Sequence, residues 1–196
     1  MKIFCLTRRS DGRLEVYPGA DSAVLRSGEP VFVPEPFEGW RSRLVPVVRI
    51  DRLGMNIRRA CAPSFYSEIA LFHLLVPAEG FADTVADGLS PYILDRAFSP
   101  GTWHSIGTVA PEGLFAVAAS AVPIESDKAL ATAETRFSLS DLDIDGVVTL
   151  LSKHVTFKTG DLLVFTDFSA ELGAPAVDTA VSATLNSLPA LSIRIK

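Results

Sequence analysis

The stretch RSRLVPVVRI, residues 41–50, predicts a β-strand whose two faces differ in character. Because strand side chains alternate, one face holds Arg41, Arg43, Val45, Val47 and Arg49. The other face holds Ser42, Leu44, Pro46, Val48 and Ile50. Pro46 has no amide hydrogen to donate, which predicts an edge strand or a bend. Two arginines at the start of an otherwise apolar strand need a partner or a function.

The length suits one domain, or one domain with a small lobe, and we expect a single domain over residues 1–196. The chain is 48% hydrophobic and carries a formal net charge of −5. That sign gives no overall attraction to nucleic acid or to an anionic membrane, and we expect neither partner. The two cysteines are too few for a disulfide scaffold or a structural zinc site, and Cys5 is predicted to be a buried thiol. The short apolar run near the N-terminus does not resemble a signal peptide, so we expect a cytoplasmic, soluble protein.

Local patterns predict a mostly β fold with two or three short helices. Asp11 and Gly12 form a hairpin signal. Residues 67–77 are nearly all apolar, so periodicity cannot distinguish a buried strand from a helix. A short helix is predicted over residues 78–87. The clearest helix lies within residues 138–154, where Ser140 and Asp143 suggest a capping box.

The polar residues show no catalytic or metal-binding motif of their own. The sequence has no dinucleotide fingerprint, no phosphate loop and no nucleophile elbow. None of the three histidines has metal-ligand spacing: His73 is expected in the core, His104 on the surface and His154 at a helix end. Glu68 is either an acid inside a pocket or the exposed first residue of a strand.

Several segments, in order, resemble the fumarylacetoacetate hydrolase family, especially its hydroxyheptadienedioate isomerase type. They are DSAVLRSGEPVFVPEP, VVRIDRLGMNI, SFYSEIAL, DLDIDGVVTLLSKHVTFKTGDLLVF and the final SIRIK. The resemblance begins near Asp21, and residues 1–20 are expected to form divergent strands. It implies an α+β fold, mostly β, in which mixed sheets roll around a central cleft. It also implies a homodimer.

The same resemblance implies an enzyme that uses Mg²⁺ or Mn²⁺ on keto or enol dicarboxylates. The family's Glu-x-Glu pair falls on Arg43 and Val45, and its aspartate falls on Leu74. None of these side chains offers the oxygen that a hard cation needs. At an effective dielectric near 20, a guanidinium about 5 Å from a dication repels it by roughly 6–7 kcal/mol. The resemblance therefore implies a degenerate member without the metal and without another cofactor.

Other cleft positions suggest what remains. Thr166 and Asp167 stand in FTDFS where the family has an FTGTP-like loop, and Arg96 matches a basic position. One hypothesis is a pseudoenzyme or binding module in which Arg43 and Arg96 hold a small carboxylate, with Glu68 also in the cleft.

Three alternatives stay open at this point. Arg43 is a solvated charge on an edge strand. Or the protein is an active hydrolase, decarboxylase or isomerase with Mg²⁺ or Mn²⁺ at a relocated site, using Glu68 and Glu79. Or it is a structural subunit that pairs with itself or with an active relative.

Overall fold

The computed structural model describes residues 1–26, 28–35, 39–78, 92 and 94–196. Within them the chain is mostly β, with short helices, as predicted. The strands are β1 Ile3–Arg8, β2 Leu14–Gly19, β3 Trp40–Ile50, β4 Tyr66–Pro77, β5 Phe98–Pro100, β6 His104–Ser105, β7 Leu114–Pro123, β8 Ala131–Ser138, β9 Leu162–Phe165, β10 Ala170–Gly173, β11 Thr179–Leu185 and β12 Leu188–Ile195. The α-helices are α1 Ile106–Val109, α2 Leu139–Leu142 and α3 Ile144–Leu151, and 3₁₀ turns span Asp21–Ala23, Arg59–Phe65 and Thr166–Phe168.

The strands form two sheets. The larger has the order β2-β1-β9-β3-β4-β5, with β10 also paired to β3 and β6 to β4. Strands β1 and β9 are parallel, and the remaining pairs of this sheet are antiparallel. The smaller sheet is antiparallel, in the order β12-β11-β7-β8. No helix of the described residues is long and apolar enough to cross a membrane.

The hairpin predicted at Asp11 and Gly12 joins β1 to β2. Gly12 has a φ of +81°, a value that glycine adopts without steric cost. The Arg9 amide donates to the Arg13 carbonyl over 2.8 Å, which closes the turn. The Asp11-Gly12 pair was enough to predict this hairpin, because a tight turn depends on local backbone conformation.

Of the two predictions from Pro46, an edge strand or a bend, the edge strand is wrong, because β3 is internal. Along one side β3 pairs with β4, where Pro46 lies opposite Leu71. Along the other side β10 pairs as far as Leu44, and β9 begins opposite Val47. Pro46 therefore lies where one neighbouring strand ends and the next begins, and the sheet accommodates its missing donor there.

The apolar run of residues 67–77 is a strand, which settles the ambiguity left by its periodicity. The helix predicted within residues 138–154 exists but is interrupted at Asp143, whose φ is +43°. The capping box is formed by Ser138 and Asp141, two residues before the predicted pair, because the helix begins earlier. The helix predicted over residues 78–87 lies, beyond Ala78, outside the described residues.

Candidate functional site

The three positions that the resemblance assigns to metal ligands lie together on one face of the larger sheet. Arg43 on β3 is opposite Leu74 on β4, and Val45 is opposite Phe72. Residues paired across strands point to the same face, so these side chains are neighbours. Val45 is 0% exposed and Leu74 is 1% exposed. The backbone arrangement suits a shared site, whereas two of its three side chains are buried hydrocarbon.

Arg43 has a carboxylate partner on the neighbouring strand. Its Nε lies 2.9 Å from Oε2 of Glu171, which is opposite it in the register between β3 and β10. Ser169 donates a hydrogen bond of 2.6 Å to the other carboxylate oxygen. Nε is buried and makes no aligned hydrogen bond among the described residues, so charge attraction accounts for the contact. Because β3 is internal here, Arg43 is not the edge-strand charge of the first alternative.

Tyr92 covers this face of the sheet. Its ring centroid is 6.0 Å from that of Tyr17 and 6.5 Å from that of Phe98. Burial raises the pKa of Tyr92, and hydrogen bonds with Thr166 and Thr7 offset only part of the rise. The charge of Arg43 lowers this pKa by a smaller amount. Because Phe98 is opposite Leu74 in the register between β4 and β5, Tyr92 adds an aromatic ring to the face that carries Leu74.

Thr166 and Asp167 fix the chain after β9. Thr166 donates to the Leu6 carbonyl over 2.8 Å, and its hydroxyl is 2.6 Å from that of Thr7. Asp167 accepts a 2.6 Å hydrogen bond from the Arg8 amide. These contacts tie the 3₁₀ turn to β1. The Cys5 thiol on β1 is buried as predicted, and burial raises its pKa.

Arg96 has a different carboxylate partner from Arg43. Its Nη2 lies 2.8 Å from Oε2 of Glu29, and that contact lowers the pKa of Glu29. Arg96 also has a φ of +64°, a left-handed value that is uncommon for a side chain of this size. In this structure each guanidinium contacts a different carboxylate. The binding of one anion by both Arg43 and Arg96 stays a prediction.

Glu68 is a half-exposed acid in an ion pair with Arg49. The guanidinium carbon of Arg49 also lies 4.8 Å from the ring centroid of Trp103, a cation–π distance. Glu68 is therefore already neutralised by a cation. Among the described residues no group of three His, Cys, Asp or Glu side chains could hold a metal ion. Glu79, the other residue suggested for a relocated site, lies outside the described residues.

His73 is the core histidine that the sequence predicts. It is fully buried on the face of the sheet opposite to Arg43, and its Nε2 lies 2.7 Å from Oγ of Ser42. Burial lowers the pKa of His73 to about 4. Sequence reasoning missed Ser42 as its partner, although strand alternation places Ser42 on that face. The half-buried side chain of His104 has Nε2 3.0 Å from the Pro189 carbonyl oxygen, and His154 follows the end of α3.

These residues do not fit the divalent cation that the resemblance implies. Mg²⁺ and Mn²⁺ are bound through oxygen, and neither Val45 nor Leu74 carries an oxygen atom on its side chain. Arg43 carries a positive charge, and the nearby Glu171 carboxylate is already engaged with it. The side chains at these three positions therefore provide no ligand for a divalent cation.

Solved structures share this architecture. Fumarylpyruvate hydrolase from Pseudomonas aeruginosa, in complex with Mn²⁺ and pyruvate, matches with a TM-score of 0.71 and 16% identity, over 100% of this chain and 89% of that one. The fold is that of the fumarylacetoacetate hydrolase family. The 2-hydroxyhepta-2,4-diene-1,7-dioate isomerase of Mycobacterium marinum matches at 0.72 and 15%, over 99% and 73% of the two chains. A Yersinia pestis protein described as belonging to that family matches at 0.73 and 13%, over 100% and 93%.

These likenesses establish the fold and nothing finer. Identities of 13–16% are too low to transfer an activity. No family model matches the sequence, and no curated protein matches it. The function must be argued from the side chains of the site.

Proposed function

We propose that this chain is a pseudoenzyme of the fumarylacetoacetate hydrolase fold that has lost the divalent-metal centre. The observation that carries the proposal is which side chains occupy the three positions that the resemblance assigns to metal ligands. Two hold buried hydrocarbon at Val45 and Leu74, and the third holds the Arg43 guanidinium beside Glu171. A cation placed there would lose its water ligands and gain no oxygen from these three side chains in return.

An activity assay tests the proposal. We expect no hydrolysis of an acylpyruvate and no decarboxylation of oxaloacetate above the protein-free rate, with either 1 mM Mn²⁺ or EDTA present. The Mn²⁺-binding fumarylpyruvate hydrolase of Pseudomonas aeruginosa serves as the positive control. Turnover that depends on Mn²⁺ and disappears in EDTA would contradict the proposal. It would support the alternative, an active hydrolase, decarboxylase or isomerase with a relocated metal site.

A second candidate function is the binding of a small carboxylate at Arg43. The contact with Glu171 favours it, because a carboxylate already sits against this guanidinium without an aligned hydrogen bond from Nε. Both side chains are partly exposed, at 37% and 48%, so a soluble anion could exchange with the internal one. Arginine suits such a ligand because its planar group can contact both carboxylate oxygens.

Removing the internal carboxylate should strengthen that binding. We expect Glu171→Gln to lower the Kd for 2-oxoglutarate two- to fivefold, which corresponds to the ~0.5–1 kcal/mol of a partly exposed ion pair. Arg43→Gln should abolish the binding. Isothermal titration calorimetry of both variants measures the effect, with Arg194→Gln as an exposed-arginine control that leaves Kd unchanged. If Glu171→Gln produces no heat with 2-oxoglutarate, pyruvate or fumarate, the carboxylate site does not exist.

The homodimer implied by the resemblance also stays a prediction. Light scattering at micromolar concentration measures it, and a monomer mass would contradict it. The same measurement on a mixture with an active relative tests the structural-subunit alternative.

A further inference from the structure

Ser42 lies between Arg41 and Arg43 in the sequence. Its side chain is on the opposite face of the larger sheet, where it contacts His73. Ser42 is 2% exposed and His73 is 0% exposed. Oγ of Ser42 and Nε2 of His73 are 2.7 Å apart. A serine and a histidine at this distance can act as a nucleophile and its general base, for which separations of about 2.6–3.2 Å are required.

Ser42 also borders a cavity. The cavity has a volume of about 240 Å³ and lies between the larger and smaller sheets. Most of the side chains that line it are apolar, including those of Ala121, Leu130, Ala131, Leu172, Pro175 and Val181. Thr179 supplies a second hydroxyl in the lining, and no charged side chain of the described residues borders the cavity. A space lined by apolar side chains and one or two hydroxyl groups is a common form of small-molecule site.

The histidine is not explained by packing alone. Its second ring nitrogen, Nδ1, has no hydrogen-bond partner among the described residues. Oγ of Ser99, which lies opposite His73 in the register between β4 and β5, also lacks one there. Buried polar atoms without partners are uncommon and destabilise the folded state. Two unpartnered polar atoms next to each other make the surroundings of His73 more polar than hydrocarbon packing requires.

We propose that Ser42 and His73 form a nucleophile–base pair that accepts the acyl group of a short, neutral ester bound in this cavity. Oγ of Ser42 would attack the ester carbonyl carbon and form a new C–O bond, and its proton would pass to Nε2 of His73. The original ester C–O bond breaks, and the leaving alcohol takes the proton from His73. The ester is neutral because the lining that the structure describes has no cation to balance a carboxylate.

The imidazole has the protonation state that this step needs. Burial lowers the pKa of His73 to about 4, so the ring is neutral at pH 7 and can receive a proton. The same burial makes it a weak base, so the step is a single acylation and the ester has a good leaving group. The step uses no metal and is independent of the proposed loss of the metal centre.

The test uses p-nitrophenyl butyrate and the whole chain in EDTA. We expect a burst of p-nitrophenolate approaching one equivalent per chain, together with one butyryl adduct that peptide mapping places on Ser42. Ser42→Ala should remove the adduct, and His73→Gln should slow its formation at least tenfold. Ser120→Ala, in a serine on the smaller sheet, is the matched control and should leave the burst unchanged.

A cavity-filling variant keeps the test decisive if Ser42→Ala fails to fold. Ala131→Leu adds atoms inside the cavity without changing Ser42 or His73, and it should abolish the adduct while circular dichroism stays the same. Three results would overturn the inference: no burst from the wild-type chain, an adduct only on other residues, or undiminished labelling in His73→Gln. EDTA is present throughout, so none of them bears on whether a metal centre exists.

Discussion

We expect Val45→Glu to lower the free energy of unfolding by roughly 3–5 kcal/mol, because it places a carboxylate in the core whose cationic neighbour, Arg43, is already paired with Glu171. Val45 is 0% exposed and its register partner is Phe72, so the new carboxylate loses its water and lies against hydrocarbon on the β4 side. The substitution restores one of the glutamates that the resemblance implies. Urea unfolding at pH 7 measures the change. Val16→Glu on β2, at a valine that is 37% exposed, is the matched control and should stay within about 0.5 kcal/mol of the wild type.

Adding Mn²⁺ to the Val45→Glu variant should not restore the lost stability. A ligand that binds only the folded state stabilises it by an amount that grows with the logarithm of its concentration. Here the positions beside the new carboxylate are still Arg43 and Leu74, which repel a cation or offer it no ligand. Recovery of more than about 1 kcal/mol in 1 mM Mn²⁺ would mean that a cation binds beside the introduced carboxylate after all.

The second large effect is a loss of stability in acid that depends on His73. The pKa of its imidazole is about 4 in the folded protein and near the ordinary value of 6.5 in the unfolded chain. Between these values the unfolded chain binds more protons, so stability falls as the pH falls. The stability that the neutral His73 imidazole contributes is fully present above about pH 6.5 and is lost by about pH 4. At about 1.4 kcal/mol per pH unit the loss amounts to roughly 3 kcal/mol.

The variant His73→Gln isolates this effect. Glutamine does not titrate in this range, and the carboxylates of both proteins titrate alike. The difference in unfolding free energy between pH 7 and pH 4 should therefore be roughly 3 kcal/mol smaller in the variant. His154→Gln, at an exposed histidine, should behave like the wild type. Equal acid sensitivity in wild type and His73→Gln would show that the buried histidine does not govern it.

Sequence reasoning succeeded where one segment carried the whole signal. Alternation in residues 41–50 and the turn at Asp11 and Gly12 are local, and both elements form. The buried thiol of Cys5 and the core position of His73 also follow from their apolar neighbours. The order of several such segments, compared with one family, was enough to predict the fold.

The sequence could not show contacts made across the sheet. Glu171 contacts Arg43 because the short strand β10 pairs with the start of β3. Neither segment has a sequence pattern that predicts this pairing. Tyr92 likewise packs on the face of the larger sheet that carries Leu74, and no sequence pattern around Tyr92 predicts that position. The wrong edge-strand prediction from Pro46 has the same origin. An internal strand accommodates this proline because β10 ends and β9 begins on either side of it, and the sequence does not show those strand ends.

The central claim is that this fold has here lost its divalent metal, and direct binding of Mn²⁺ tests it best. Electron paramagnetic resonance of free Mn²⁺ should give the same signal with and without an equimolar amount of the wild-type chain, from 10 µM to 1 mM metal. Elemental analysis of the purified protein should find less than about 0.1 metal ion per chain. Stoichiometric removal of the free Mn²⁺ signal, reversed by EDTA, would contradict the account.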